Sequence, residues 1–218
     1  MGADLKLSDL ETALRALSHE QYNKIFEFHR GNEDTIAMAR KLLSQQSQAL
    51  SGALPHEEIL DAVATFTVNS VSMGPFRHER LGIFENYNRI NHACNPNVQN
   101  TYNKLLEKMT IHASRQINKG EEILTSYIDG ACLTREERQK SLGHWGFECG
   151  CEICIGPKAA ASERRRSRMF ALNQRLSNYA WAAESSVPGS PQTNLKRCED
   201  LLELYRFEDI TNFSLAIL

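Results

Sequence analysis

Nowhere in the 218 residues do apolar side chains run unbroken for the ~20 positions a bilayer-spanning helix needs. The first residues, MGADLKLSDLE, also lack the basic-then-apolar layout of a secretory signal. The chain therefore reads as a soluble intracellular protein, of the nucleus or the cytoplasm. An excess of one charge is missing too, with 25 Lys+Arg against 27 Asp+Glu and a net charge of −2. That balance gives no global electrostatic reason to bind nucleic acid or an anionic membrane. No unit repeats at a fixed period, so nothing supports a solenoid. What is present is a 41% apolar content, enough for one good core or two small ones and too much for extended disorder.

The first 66 residues read as helical. Ser8 and Glu11 have capping-box spacing ahead of Leu10, Leu14 and Leu17, and Ser18 with Gln21 repeats it. A helix carrying Tyr22, Ile25 and Phe26 is expected to stop near Gly31, and further helices are expected over 36–50 and 57–66. After Phe66 the pieces become strand-sized: 67–74, 98–103, 109–113 and 123–127, with a hairpin over 98–113 and a turn at 118–120. Thr134 and Glu137 cap a short helix ending near Gly143. From Ser162 the pattern is helical again, broken by a Ser/Pro/Gly-rich stretch over 185–191. Because helices and strands segregate rather than alternate, the fold class is α+β and not a doubly wound parallel sheet.

Six cysteines in an intracellular chain point to thiols or metal ligands rather than disulfides. Cys149, Cys151 and Cys154 form C-x-C-x-x-C, three soft ligands where a structural zinc site needs four. The fourth has to come from Cys94, Cys132, Cys198 or His144. His78 and His112 have no partner at ligand spacing. Arg164, Arg165 and Arg166, with Arg168, read as a solvated helix face, since consecutive helical residues point in different directions.

Three segments stand out together: NHACNPN from Asn91 to Asn97, GEEILTSY from Gly120 to Tyr127, and WGFECGCEIC from Trp145 to Cys154. Each alone has a plain structural reading, as a turn, a strand tyrosine or buried thiols. In this order they resemble the C-terminal half of the SET domain family of protein-lysine methyltransferases, and especially its SMYD-like branch. Asn69 in TVNSVSMGP and Gly82-Ile83-Phe84 sit where that branch carries related elements. The resemblance covers roughly residues 55–157. It implies a partial SET-type β fold of short strands with a helical insertion (1–66), a SET core (67–142), a post-SET zinc segment (143–157) and a helical tail (158–218).

The resemblance further implies two cofactors, S-adenosylmethionine and a structural zinc ion, and a protein substrate offering a lysine, such as a histone. Asn91 and His92, with Asn69, would lie against S-adenosylmethionine, and Phe147 would pack its flat ring on the adenine. Cys94 would complete the zinc site, with the four sulfurs within ~4 Å of one another. Tyr127 would be catalytic. Methyl transfer to an amine is an in-line displacement, so a hydroxyl with an unperturbed pKa of about 10 can align the amine without competing as a nucleophile.

The chain departs from the family at one point. No two of its 12 glycines are separated by a single residue, so the G-x-G element that approaches the cofactor is absent from the sequence. The expectation is therefore poor methyl transfer, or none, by these residues alone. The alternative function is a non-catalytic SET-derived zinc-binding interaction module.

Overall fold

The computed structural model describes residues 6–74, 80–181 and 190–210. It divides into two compact units, one drawn from residues 1–89, 102–109 and 143–147, the other from 90–101, 110–142 and 148–218. Among the described residues no helix is long and apolar enough to cross a membrane.

The first unit is mainly helical. Helix α1 (Leu7–Arg15) starts ahead of the Ser8 cap expected from sequence, and its N-cap, Lys6, makes no side-chain cap. Burial decides this start. Leu7 is fully buried, and its N–H donates to Gln46 Oε1 at 2.9 Å. Glu11 then turns inward and accepts from the Ser51 N–H at 2.8 Å and the Ser51 hydroxyl at 2.9 Å. Helix α2 (His19–Ile25) does carry a capping box, with Ser18 and Gln21 bonding reciprocally at 3.2 and 3.0 Å. It ends well before Gly31, whose φ of +81° serves the loop into α3 (Glu33–Gln46). Helix α4 (His56–Asn69) runs three residues past the expected end, because Val68 and Asn69 are buried and Thr67 bonds back to the Val63 carbonyl at 2.7 Å. The strand expected from Thr67 is accordingly shortened to β1 (Val71–Ser72), paired antiparallel with β2 (Leu81–Gly82). Leu7, Leu10 and Leu14 of α1 form one core with Ala39 of α3 and Ile59, Leu60 and Val63 of α4. Full burial of a leucine, isoleucine or valine side chain, as at Leu7, Ile59 and Val63, contributes about 1.5–3 kcal/mol.

The second unit begins with β3 (Asn91–His92), which pairs in parallel with β6 (Leu124–Thr125) in the register Asn91↔Leu124 and His92↔Thr125. Strand β6 is shorter than the expected 123–127. Strands β4 (Val98–Asn103) and β5 (Lys108–Ala113) form the expected hairpin, with the Asn103 carboxamide oxygen capping the turn at the Leu105 and Leu106 N–H groups; its tip, 102–109, is counted in the first unit. Helix α5 (Arg135–Leu142) is capped by the Thr134 hydroxyl, which accepts from Glu137 N–H at 3.3 Å. A single turn, α6 (Glu152–Ile155), leads into α7 (Ala159–Trp181), and α8 (Pro191–Phe207) is capped by Ser190. The expected break over 185–191 otherwise lies outside the described residues, as does His78. Met169 and Leu172 of α7 pack with Leu201, Leu204 and Tyr205 of α8 and with Ala131 and Cys132. The arginine run is not a uniformly solvated face. Arg166 is fully buried, donating to Glu208 Oε2 at 3.1 Å and to the Ala131 carbonyl at 3.0 Å. A buried guanidinium needs such partners, and Glu208, buried on its own side, supplies the anion.

Candidate functional site

The short β3–β6 pairing brings NHACNPN and GEEILTSY together. The Ala93 N–H donates to the Thr125 carbonyl at 2.9 Å and the Asn97 N–H to the Leu124 carbonyl at 3.1 Å. Asn97, which sequence reasoning did not single out, is the hub. Its side chain is 1% exposed; its Oδ1 accepts from Leu124 N–H at 2.8 Å, and its Nδ2 donates to the Glu122 carbonyl at 2.8 Å and to Glu121 Oε1 at 3.2 Å. A carboxamide suits this position because it offers an acceptor and donors in one plane, matching a backbone N–H and C=O that the two-residue ladder leaves over. The available signal was the low tolerance of a core for an asparagine without partners.

His92 faces inward from β3. Its Nδ1 lies 3.0 Å from the Tyr127 N–H, and its Nε2 lies 3.4 Å from Cys94 Sγ. Since the amide can only donate, Nδ1 is the acceptor, the neutral ring carries its proton on Nε2, and that N–H donates to the sulfur. Burial drives the imidazole pKa down to about 4, which keeps the ring neutral. The Tyr127 ring lies tilted at 47° to the His92 ring with centroids 5.3 Å apart, and its hydroxyl donates to the Ile90 carbonyl at 2.8 Å. Asn91, beside it, is exposed, and its Nδ2 donates to Glu122 Oε1 at 2.7 Å.

Cys94, Cys149, Cys151 and Cys154 meet in the same unit, although Cys94 lies 55 residues before Cys149. Their sulfurs all fall within 4.8 Å of one another, with Cys94 3.7 Å from Cys149 and 3.6 Å from Cys154. Four thiolates at ~2.3 Å from one tetrahedral ion would be ~3.8 Å apart, so the donor set fits zinc and can hold a metal ion. Crowding already separates the thiols: hydrogen bonds from Cys154 and Cys94 push Cys151 far below the usual thiol range, while Cys94 is driven up. Cys132 is engaged elsewhere, 2.8 Å from the Tyr205 hydroxyl. Helix α5 supplies two further contacts. Gln139 brackets the Cys149 backbone, accepting from its N–H at 3.0 Å and donating to its carbonyl at 3.4 Å, and Arg138 Nη2 lies 3.6 Å from Cys154 Sγ.

Asn69 and Phe147 belong to the first unit. Asn69 closes α4, with its Nδ2 donating to the His29 and Thr65 carbonyls, both at 2.7 Å. Phe147 follows a segment fixed by Trp145, whose indole N–H donates to the Val68 carbonyl at 2.9 Å, and presents a ring that is 39% exposed. His144 lies on the same segment, its carbonyl accepting from the Thr35 hydroxyl at 3.0 Å.

Residues 9–128 match the SET domain family, and the chain belongs to it. Among curated proteins it is 46% identical over 90 residues to the histone-lysine N-methyltransferase set5 of Schizosaccharomyces pombe, covering 38% of this chain and 28% of that protein. It is 23% identical over 192 residues to SET5 of Scheffersomyces stipitis, covering 80% and 38% respectively. To human histone-lysine N-methyltransferase SMYD3 it is 26% identical over 213 residues, 96% of this chain and 44% of that protein. The chain thus spans less than half the length of these relatives.

Proposed function

We propose that the chain carries the acceptor-aligning and metal-bearing part of an S-adenosylmethionine-dependent protein-lysine methyltransferase acting on a histone or another lysine-bearing protein in the nucleus or cytoplasm. The observation that supports it most is the contact of Tyr127 with His92 across the β3–β6 pairing, in a chain matched to the SET family on both segments. S-adenosylmethionine would supply an electrophilic methyl group on a sulfonium. Tyr127 aligns the lysine. A phenol that donates its one proton to the Ile90 carbonyl can act toward a further partner only as an acceptor, so its oxygen receives an N–H of the neutral amine and turns the nitrogen lone pair toward the methyl. Asn91 and His92 contribute the cofactor-facing strand. The histone assignment rests on the names of the relatives.

Cys94, Cys149, Cys151 and Cys154 would hold a structural zinc ion, tying the residues just after β3 to the segment around α6. Four protein thiolates would give it the role of fixing the chain rather than of activating water.

The test is titration of the 218-residue chain with S-adenosylmethionine, followed by radiolabel incorporation into mixed histones. Binding, with slow transfer that Tyr127→Phe lowers at least tenfold while changing cofactor affinity less than threefold, is expected. No binding at millimolar cofactor refutes the reading and leaves a non-catalytic zinc-binding module.

A further inference from the structure

We propose that Arg138 is the charge partner of the cysteine centre: its buried guanidinium compensates the anionic tetrathiolate, and with Gln139 it makes α5 the bracket that holds the four sulfurs at ligand spacing. This rests on the metal reading given above and goes beyond it in naming the groups outside the ligand set that make the site bind.

The geometry around Arg138 is unusual for a buried cation. Its side chain is fully buried, yet the carboxylate that comes within 4 Å of it among the described residues, Glu163, stands 3.9 Å from Nη1, is 35% exposed and accepts from the Arg135 N–H. Nη1 donates instead to the neutral Leu133 carbonyl at 2.7 Å, and Nε has no partner. Nη2 points to Cys154 Sγ at 3.6 Å. The anion that answers this buried charge is therefore sulfur. Arg166, also fully buried, differs in having its own carboxylate, Glu208, at 3.1 Å.

The charge arithmetic shows what Arg138 is for. Four thiolates and one divalent cation sum to −2, and a dianion enclosed by protein is unfavourable unless cations face it. Arg138 removes one unit of that charge by direct contact. Its N–H also stabilises the Cys154 lone pair, and the His92 Nε2–H does the same for Cys94. Neighbouring Gln139 holds both backbone groups of Cys149, so consecutive residues of one helix fix a ligand's charge and a ligand's backbone. Groups that orient metal ligands from outside typically carry 10–100-fold of the metal affinity.

Zinc affinity of the reduced chain, measured by competition with a chromogenic chelator, tests this directly, together with the thiolate-to-metal charge-transfer band of the cobalt-loaded chain. Arg138→Met is expected to weaken zinc binding ~10–100-fold and to move the band to lower energy, because a thiolate deprived of its donor gives up an electron more readily. Arg138→Lys, which keeps the charge, should recover more than half of the lost affinity on a logarithmic scale. Affinity within threefold of wild type and an unmoved band in Arg138→Met overturn the proposal while leaving the metal site standing; no zinc binding by the wild type overturns both. If Arg138→Met does not fold, the wild type loaded with cadmium-113 decides: a through-hydrogen-bond correlation between the metal and an Arg138 Nη–H is expected, and its absence refutes the contact.

Discussion

Asn97 offers the sharpest test of how the site is assembled. Asn97→Leu keeps most of the volume and removes every side-chain hydrogen bond at once: Leu124 N–H to Oδ1, Nδ2 to the Glu122 carbonyl, and Nδ2 to Glu121. The Glu121 carboxylate keeps Arg115 and the Asn118 N–H, so its loss is small. The Leu124 N–H and Glu122 C=O are left facing a methyl group, and an unsatisfied buried polar group costs about 1–3 kcal/mol. The sum is roughly 2–6 kcal/mol, which at about 2–4 °C per kcal/mol for a chain of this size lowers Tm by roughly 4–24 °C.

Asn97→Asp supplies the sign. It keeps the acceptor for Leu124 N–H but turns a carboxylate oxygen toward the Glu122 carbonyl and toward Glu121, whose own carboxyl is held down to about 2, chiefly by Arg115. The introduced carboxyl therefore has a folded-state pKa raised above its unfolded value of about 3.9. A raised group contributes its stability below the unfolded pKa and loses it as pH rises through the folded one, so the deficit against wild type should be small near pH 4 and grow toward neutrality. Urea unfolding at several pH values measures both variants. A loss under ~1 kcal/mol for Asn97→Leu, or a pH-independent deficit for Asn97→Asp, would refute the reasoning.

Three further outcomes follow from the same geometry. Cys94→Ser should lower bound zinc and chelator-sensitive stability as much as Cys154→Ser does, whereas Cys132→Ser and Cys198→Ser should leave metal content near wild type, as elemental analysis will read. Glu208 is pulled up by burial, but hydrogen bonds from Ser162 and Arg165 and the charge of Arg166 outweigh this and hold it below the usual carboxylate range; its stabilisation is present above the unfolded value of about 4.3 and fades as pH falls. Glu208→Gln should flatten that acid limb and, by leaving Arg166 short of its anion, cost roughly 3 kcal/mol at pH 7 in urea unfolding. Gly31→Ala meets Thr35 Oγ1 at 2.7 Å and the His144 carbonyl at 2.8 Å with φ at +81°, whereas Gly52→Ala at φ +73° meets nothing within 4 Å. Calorimetry should find about 1 kcal/mol lost at Gly52 and clearly more at Gly31.

The sequence revealed features that local chemistry decides and hid those decided by packing. The hairpin over 98–113 and the caps at Ser18 and Thr134 depend on neighbours a few residues away, and short-range pattern exposes them. The start of α1 and the end of α4 depend on burying Leu7 and Val68, a tertiary effect that overrides a well-spaced Ser8–Glu11 pair and a β-prone Thr67. Arg166 shows the same limit, because three consecutive arginines carry no mark of which one faces the interior. The cysteine cluster was visible as C-x-C-x-x-C, yet from spacing alone Cys94 stood equal to three other candidates. The contacts of Arg138 and Gln139 leave no sequence signal at all, since they depend on where α5 lies against the cluster.

Residues 90–97 gather these features onto one octapeptide and explain why single changes there should have effects of different kinds. Ile90 accepts from the Tyr127 hydroxyl, His92 from the Tyr127 N–H, Cys94 joins the cluster, Asn95 donates to the Glu208 carbonyl at 3.0 Å, and Asn97 fixes 122–124. Together these residues tie the segments around Tyr127, the cysteine cluster, Glu208 and 122–124 to the same stretch of chain. His92 links two of them, because one ring joins Cys94 Sγ to the backbone of Tyr127. Replacing that ring with an apolar one of similar size would leave the Tyr127 N–H without its acceptor and Cys94 without a donor. A defect at the metal cluster and a displaced tyrosine would then arise from one substitution, whereas changes at Asn95 or Asn97 should disturb the fold around the cluster without touching either atom of that bridge.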